Sequence, residues 1–238
     1  MIKNDLLVRG LGDMGLIPTQ DQTRKFQLFY ELLIDRNQSM NLTNITDYDE
    51  VMVKHFLDSI NVIKAYGLMN TNSILDVGTG AGFPGIPLKI MFPHLSVTLM
   101  DALNKRVQFM NEVIDQLDLI KINAIHSRAE ILAQDHIFRT AYDLVVSRAV
   151  SQLSTLSEYC LPFVKIGGHF IAYKSTDTEE EISEAKNAIS LLGGKIQSVS
   201  DFKVPESDIL RRYVVIKKIS DTPPKYPRKA GTPSKKPL

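Results

Sequence analysis

Asp76 stands two residues before Gly78 in the run Asp76-Val77-Gly78-Thr79-Gly80-Ala81-Gly82, so that a carboxylate precedes three alternating glycines. Glycine lets a backbone turn sharply and bring its N–H groups close to a ligand, and such a turn after a strand forms a nucleotide-type pocket. An acid at that point would repel a pyrophosphate and attract an ammonium or sulfonium. Asp101 follows Gly82 by 19 positions, about where an acid that receives ribose hydroxyls belongs. An adenosyl ligand with a positive tail satisfies both carboxylates. The plainer readings are a structural turn for the glycines, a turn cap for Asp76 and a helix N-cap for Asp101, and the coincidence of all three favours the ligand site.

Strand ends must hold these residues, and the surrounding pattern supplies them. From Ser73 onward short apolar runs alternate with helical stretches, which is the signature of βαβ units and a parallel sheet. Expected strands cover 74–77, 97–100, 123–126, 144–147, 170–174, 196–202 and 213–219; expected helices lie near 86–91, 105–117, 129–134, 153–161 and 179–192. The fold class is therefore α/β, a Rossmann-like, doubly wound, seven-stranded and mostly parallel sheet. Pro205 with Glu206, Ser207 and Asp208 reads as a loop rather than a crossover helix, so an antiparallel edge is expected there.

Residues 1–72 read as a helical segment packed on this core. Phe26, Phe29, Tyr30, Leu33 and Ile34 recur at helical spacing after Asp21 and Thr23, and a second helix is expected from Asp47 to Tyr66. The first 20 residues carry no motif. Residues 73–220 form the sheet domain and 221–238 a basic tail. Five prolines in the 17 residues after Asp221 predict an extended tail with no packed element.

Composition bounds the function classes. Among 238 residues, Cys160 is the only cysteine, which excludes a disulfide framework and a Cys-based zinc site and suits a reducing compartment. The start Met1-Ile2-Lys3-Asn4-Asp5 has no apolar leader, and no apolar run reaches membrane-span length, so a cytoplasmic protein without a membrane partner is expected. A formal charge of +1 gives no hint of nucleic acid. The tail does: Lys225, Arg228, Lys229, Lys235 and Lys236 stand there with no acid after Asp221, a candidate phosphate grip that Arg211 and Arg212 would extend. A solvated, disordered tail is the competing reading.

The string Ile74-Leu75-Asp76-Val77-Gly78-Thr79-Gly80-Ala81-Gly82-Phe83-Pro84-Gly85-Ile86-Pro87 resembles motif I of the class I S-adenosylmethionine-dependent methyltransferases, and Asp101 their motif II. Four further blocks sharpen the likeness: Lys54-His55-Phe56-Leu57-Asp58-Ser59, Ser127-Arg128-Ala129-Glu130, Ser147-Arg148-Ala149 and Tyr226-Pro227-Arg228-Lys229-Ala230-Gly231-Thr232-Pro233. Together they resemble the bacterial small-subunit ribosomal RNA methyltransferase G family, also called glucose-inhibited division protein B, over nearly the whole chain. The resemblance implies methylation at N7 of a guanine in the 16S rRNA loop near the decoding centre. It implies S-adenosylmethionine as donor, and 16S rRNA, the 30S subunit or an assembly intermediate as partner. Gly78 and Phe83 would line the cofactor pocket, Ala129 and Glu130 would flank the adenine, and Arg148 would close the site. Asp76, Gly80, Gly82 and Asp101 follow from the broader class.

Guanine N7 carries an exposed lone pair in its neutral form, so such a reaction needs no general base and its catalysis is mainly placement. Two absences agree. Ser147-Arg148-Ala149 stands in place of the Asn/Asp-Pro-Pro-aromatic run of exocyclic-amine methyltransferases, and one cysteine cannot supply the paired thiols of the cytosine C5 type. Arg148, at a strand's carboxyl end, is expected to reach guanine O6, a phosphate or the methionine carboxylate, because a grip on N7 would occupy the reacting lone pair. Its plainer reading is an arginine paired with an acid.

His55 and Asp58, three apart on one helix face, could meet RNA or the cofactor rim, or simply pack. An NAD(P)-dependent oxidoreductase and a non-catalytic RNA-binding module on the same scaffold remain as alternatives. Nothing in the sequence demands more than a monomer.

Overall fold

The computed structural model describes residues 5–148 and 151–238. Met1 to Asn4, and Ala149 of the Ser147-Arg148-Ala149 block, lie outside the described residues. Seven strands form one sheet: β1 (Ser73–Val77), β2 (Ser96–Asp101), β3 (Ile122–His126), β4 (Tyr142–Ser147), β5 (Val164–Lys174), β6 (Gly194–Lys203) and β7 (Leu210–Lys218). Their order is β3-β2-β1-β4-β5-β7-β6. All the expected strands are present, with β5 beginning earlier than its apolar run suggests. The antiparallel strand is β7, inserted one place in from the edge and antiparallel to both β5 and β6.

Both faces of the sheet are covered, so the strands read as continuous apolar runs whose successive side chains feed opposite layers. Ile74, Leu144, Val146 and Ile171 enter one core, and Leu75, Val145, Phe170 and Ala172 the other. The first core is closed by α1 (Asp5–Asp13), α2 (Gln20–Met40), α5 (Gly85–Met91) and α6 (Asn104–Gln116). The N-terminal helices therefore share the core of the sheet. The second is closed by α7 (Ala129–Leu132), α8 (Leu153–Cys160) and α9 (Glu179–Leu191).

The motif-free start is helical in part, within the helical segment expected over residues 1–72, and there α1 holds Leu7 and Leu11 one turn apart and fully buried. Two other expectations need correction. The expected single helix from Asp47 to Tyr66 is subdivided: α3 (Tyr48–Val51), a π-helical stretch (Met52–Leu57), α4 (Asp58–Ile60) and a 3₁₀ turn (Asn61–Lys64). His55 and Asp58 still share a side of this segment and line one crevice, as their spacing suggested.

The tail, expected to be extended and unpacked, is docked and carries a short helix, α10 (Thr232–Lys235), with Tyr226 and Pro233 buried. Proline removes a backbone donor but leaves the carbonyls, and other side chains satisfy those here. Arg139 donates to Thr222 O at 2.9 Å and Tyr226 O at 3.0 Å. The buried Lys218 ammonium bonds Thr222 Oγ1.

Candidate active site

In an α/β sheet, ligands bind at the carboxyl ends of the strands where the order reverses, and here that point lies between β1 and β4. The loop from Gly78 to Pro84 leaves β1 at this position. Gly78 and Gly80 have φ of +72° and +65°, the left-handed region that favours glycine, and a Cβ at either would meet no atom within 4 Å. The glycines are thus required for backbone conformation, and their outer side is open to a ligand.

Asp76 is fully buried beneath the loop. Its Oδ2 accepts from Thr79 Oγ1 at 2.6 Å and from Gly85 N at 2.8 Å, tying both ends of the loop to the strand. Its Oδ1 is buried with no partner among the described residues. Burial pushes the carboxyl up to about 7, against the two hydrogen bonds, which pull it down. The turn-bracing role weighed from the sequence is therefore real in the geometry, and one polar oxygen is left over.

Asp101, at the end of β2, closes the loop from the other side. Its Oδ2 accepts from Gly80 N at 3.0 Å and Arg106 Nη1 at 3.3 Å, while Oδ1 accepts from Leu103 N at 2.9 Å. Between these strand ends lies a cleft lined by Gly78, Met100, Asp101, Ala129, Glu130 and Tyr159, among others. The sequence-predicted Gly78, Asp101, Ala129 and Glu130 therefore meet in one place. An acid at a ribose position beside apolar walls for a base fits an adenosyl group, and so does the open glycine face, whereas Asp76 is sealed beneath the loop and lines no part of this cleft.

Phe83 is placed differently. It is buried in the N-terminal core, stacked on Phe29 at 5.2 Å and on His55 at 4.5 Å between centroids. Its ring carries Arg148, whose guanidinium carbon lies 5.4 Å from the centroid. It thus joins the glycine loop to a second, polar crevice lined by Lys54, His55, Asp58, Arg148, Tyr173 and Arg211 with neighbouring residues.

Asp58 is the centre of that crevice. It is 1% exposed, and Arg148 Nη1 donates to its Oδ2 at 2.8 Å. Arg211 adds Nε to Oδ1 at 2.8 Å and Nη2 to Oδ2 at 3.0 Å. One buried acid thus faces two guanidiniums, and the local balance is positive. Arg148 Nη1 also donates to Lys54 O at 3.2 Å, locking it to the π-helical stretch. The paired-arginine reading of Arg148 is the geometry observed, in a buried setting rather than at the surface. Its side chain is 15% exposed, so an edge still faces the crevice.

His55 is half-buried at the edge of this crevice. Its Nε2 shares a hydrogen bond with Thr43 Oγ1 at 2.8 Å, and burial, then the nearby Arg148 charge, lowers its pKa to about 3. It is a neutral packing residue at neutral pH.

The expected phosphate contacts divide sharply. Arg212 is held by Asp201, through Nε and Nη2 at 2.7 Å each, and by Glu179. Arg211 is spent on Asp58, and Arg228 on the buried Glu158, with Nη2 to Oε2 at 2.6 Å. These three correct the picture of a free cationic strip, because a guanidinium withdrawn from water must find acceptors, and here they are carboxylates. Lys225, Lys229, Lys235 and Lys236 remain exposed with no ion pair among the described residues. Glu158 and the two-arginine role of Asp58 were not anticipated. Asp58 had a signal in its motif block, whereas Glu158 had none.

Comparison with known proteins adds the family. The family model described as rRNA small subunit methyltransferase G matches residues 22–210. Ribosomal RNA small subunit methyltransferase G of Lachnoclostridium phytofermentans is 50% identical over 238 residues, covering 100% of this chain and 98% of the relative. The protein of that name from Staphylococcus carnosus is 49% identical, covering 98% and 97%. Among solved structures, M. jannaschii TYW2 in complex with AdoMet superposes with a TM-score of 0.52 at 18% identity, covering 68% of this chain and 77% of that one. MtNAS in complex with MTA and tNA gives 0.54 at 13%, covering 84% and 74%. At such identities the likeness is one of fold.

Proposed function

The chain belongs to the rRNA small subunit methyltransferase G family, and from that premise we infer that it methylates 16S rRNA with S-adenosylmethionine, at N7 of a guanine. The observation that carries the reading is the cleft in which Gly78, Asp101, Ala129 and Glu130 converge beside an open glycine turn, in a chain half identical to that family along its full length. Family membership replaces the NAD(P)-dependent oxidoreductase and the non-catalytic module.

Gly78 and Gly80 would present backbone to the cofactor, Gly82, whose missing Cβ makes room for Ile86, would let the turn pack on α5, Asp101 would receive the ribose hydroxyls, and Ala129 and Glu130 would flank the adenine. Asp76 would serve the cofactor from beneath, by fixing the loop through Thr79 and Gly85. When bound, S-adenosylmethionine supplies an electrophilic sulfonium methyl. N7 already carries its lone pair, so this chain's residues have to orient the guanine and exclude water rather than move a proton. Arg148, held by Asp58 and Phe83, would meet guanine O6, a phosphate or the methionine carboxylate at the crevice end of β4. Phe83 would act by supporting Arg148 rather than by lining the adenosyl cleft.

The exposed Lys225, Lys229, Lys235 and Lys236 are proposed as the sequence-tolerant phosphate contacts. A monomer is the oligomeric state proposed. Among the described residues no helix is long and apolar enough to cross a membrane, and a ribosomal substrate with a single buried cysteine suits a cytoplasmic enzyme.

Mapping 7-methylguanosine in small-subunit RNA from cells lacking the protein tests the reaction: one mark should vanish and return on complementation. Unchanged methylation would overturn it. Parallel assays on naked 16S rRNA, 30S particles and assembly intermediates identify the form that is methylated.

A further inference from the structure

The adenine side of the cleft is built from two short elements. Ala129 and Glu130 belong to α7, only four residues long, and Tyr159 to α8. A single turn of helix has no stability of its own, so its side chains are oriented by whatever packs against it. Here that is the tail.

Gly231 N donates to Glu130 Oε1 at 2.9 Å, and no other protein hydrogen bond reaches that carboxylate among the described residues. Gln134, just past α7, donates to Pro227 O at 3.2 Å. On α8, Arg228 saturates Glu158, which is fully buried: its backbone N reaches Oε1 at 2.7 Å, Nε reaches Oε1 at 2.9 Å and Nη2 reaches Oε2 at 2.6 Å. Glu158 immediately precedes Tyr159. Thr155 Oγ1, one turn earlier, donates to Pro233 O at 3.1 Å. The tail is thus fastened at both ends of the cleft's wall, and Glu130 keeps its second oxygen for a ligand donor.

We propose that residues 222–236 buttress the wall of the cofactor site from behind, with Arg228 acting through Glu158 and Gly231 acting through Glu130 as positioning residues for S-adenosylmethionine. This rests on the assignment of the Ala129–Glu130 cleft to the adenine. It reverses the simplest expectation from composition, in which loss of the tail would weaken RNA binding and leave the cofactor untouched. The exposed lysines can still meet phosphate, because they are not among the groups that hold the segment down. Docking of the tail and binding of the cofactor then favour one another, since each orders what the other needs.

The test is calorimetric titration of S-adenosylmethionine into the intact protein and its Arg228→Ala, Arg228→Lys and Asp101→Asn variants, with KM measured for both substrates. Arg228→Ala should weaken cofactor binding about tenfold and raise its KM by a similar factor, while KM for rRNA stays near that of the unaltered enzyme. Arg228→Lys, which keeps a positive charge opposite Glu158 that Arg228→Ala lacks, should recover part of the loss. If Arg228→Ala binds normally while Asp101→Asn binds weakly, the wall proposal is wrong and the cleft assignment stands. If both bind normally, the cleft assignment itself fails. In the unaltered protein, saturating S-adenosylmethionine should slow amide hydrogen exchange across residues 225–233, and unchanged exchange there would equally overturn the coupling.

Discussion

Arg148 and Asp58, 90 positions apart in sequence, meet at 2.8 Å beneath the polar crevice, the acid only 1% exposed. Removing the acid strands two guanidiniums in a buried place. Asp58→Ala should destabilise the fold by about 3–5 kcal/mol, read as a lowered urea midpoint. A change below about 1 kcal/mol would mean that water compensates both arginines.

Arg148→Ala is the cleaner probe of catalysis, because Arg211 still occupies Asp58 and the fold should survive. Turnover on rRNA should drop by about 100-fold, the scale expected when a substrate is misplaced by about an ångström. Arg148→Lys should remain impaired, since a point charge cannot reproduce the planar fork. Normal turnover in Arg148→Ala would remove it from the site.

Asp76 carries a pH signature. Burial raises its pKa to about 7 in the folded protein, so its contribution to stability is complete below the ordinary carboxylate range and is lost as pH rises toward 7. Asp76→Asn keeps an acceptor for Thr79 and Gly85 without ionising. Its stability relative to the unaltered protein should therefore rise between pH 4 and 7, by at most about 1.4 kcal/mol per pH unit. Urea titrations with parallel pH dependence would contradict the raised value.

His55 has the opposite sign. Its folded pKa is depressed to about 3, first by burial and then by Arg148, so its contribution is present above the ordinary imidazole value of about 6.5 and lost as pH falls toward 3. His55→Gln should lower stability at pH 7, and the deficit should shrink by up to about 1.4 kcal/mol per unit on acidification below pH 6.5. Denaturation curves at pH 7, 6 and 5 decide it.

The exposed tail lysines can be separated from Arg228. Changing Lys225, Lys229, Lys235 and Lys236 to Ala together should reduce the salt slope of rRNA binding by about 0.7–0.9 for each phosphate that the tail no longer neutralises. Calorimetry with S-adenosylmethionine should give the unaltered affinity. An identical salt slope would place the RNA grip elsewhere on the protein.

The sequence by itself determined the sheet, the glycine turn and the family likeness, because each is written in local spacing. Alternating apolar runs specify strands buried on two faces, and Asp76, the glycines and Asp101 are fixed by distances along the chain of a few residues or one βαβ unit. The bounds of helix α1 escaped because two leucines one turn apart make too short a pattern, and the π-helical stretch because its apolar period still resembles an α-helix.

Tertiary structure alone decided which charges are spent on one another. Arg211 finds Asp58 across 153 positions and Arg228 finds Glu158 across 70, and no composition count reveals such pairs. The prolines of the tail forecast an extended chain, but docking depended on carbonyls that Arg139 and Thr155 were placed to meet. A charge or a carbonyl exposed in the unfolded chain is satisfied by water; once buried it must find a partner, and only the folded arrangement of distant segments supplies one.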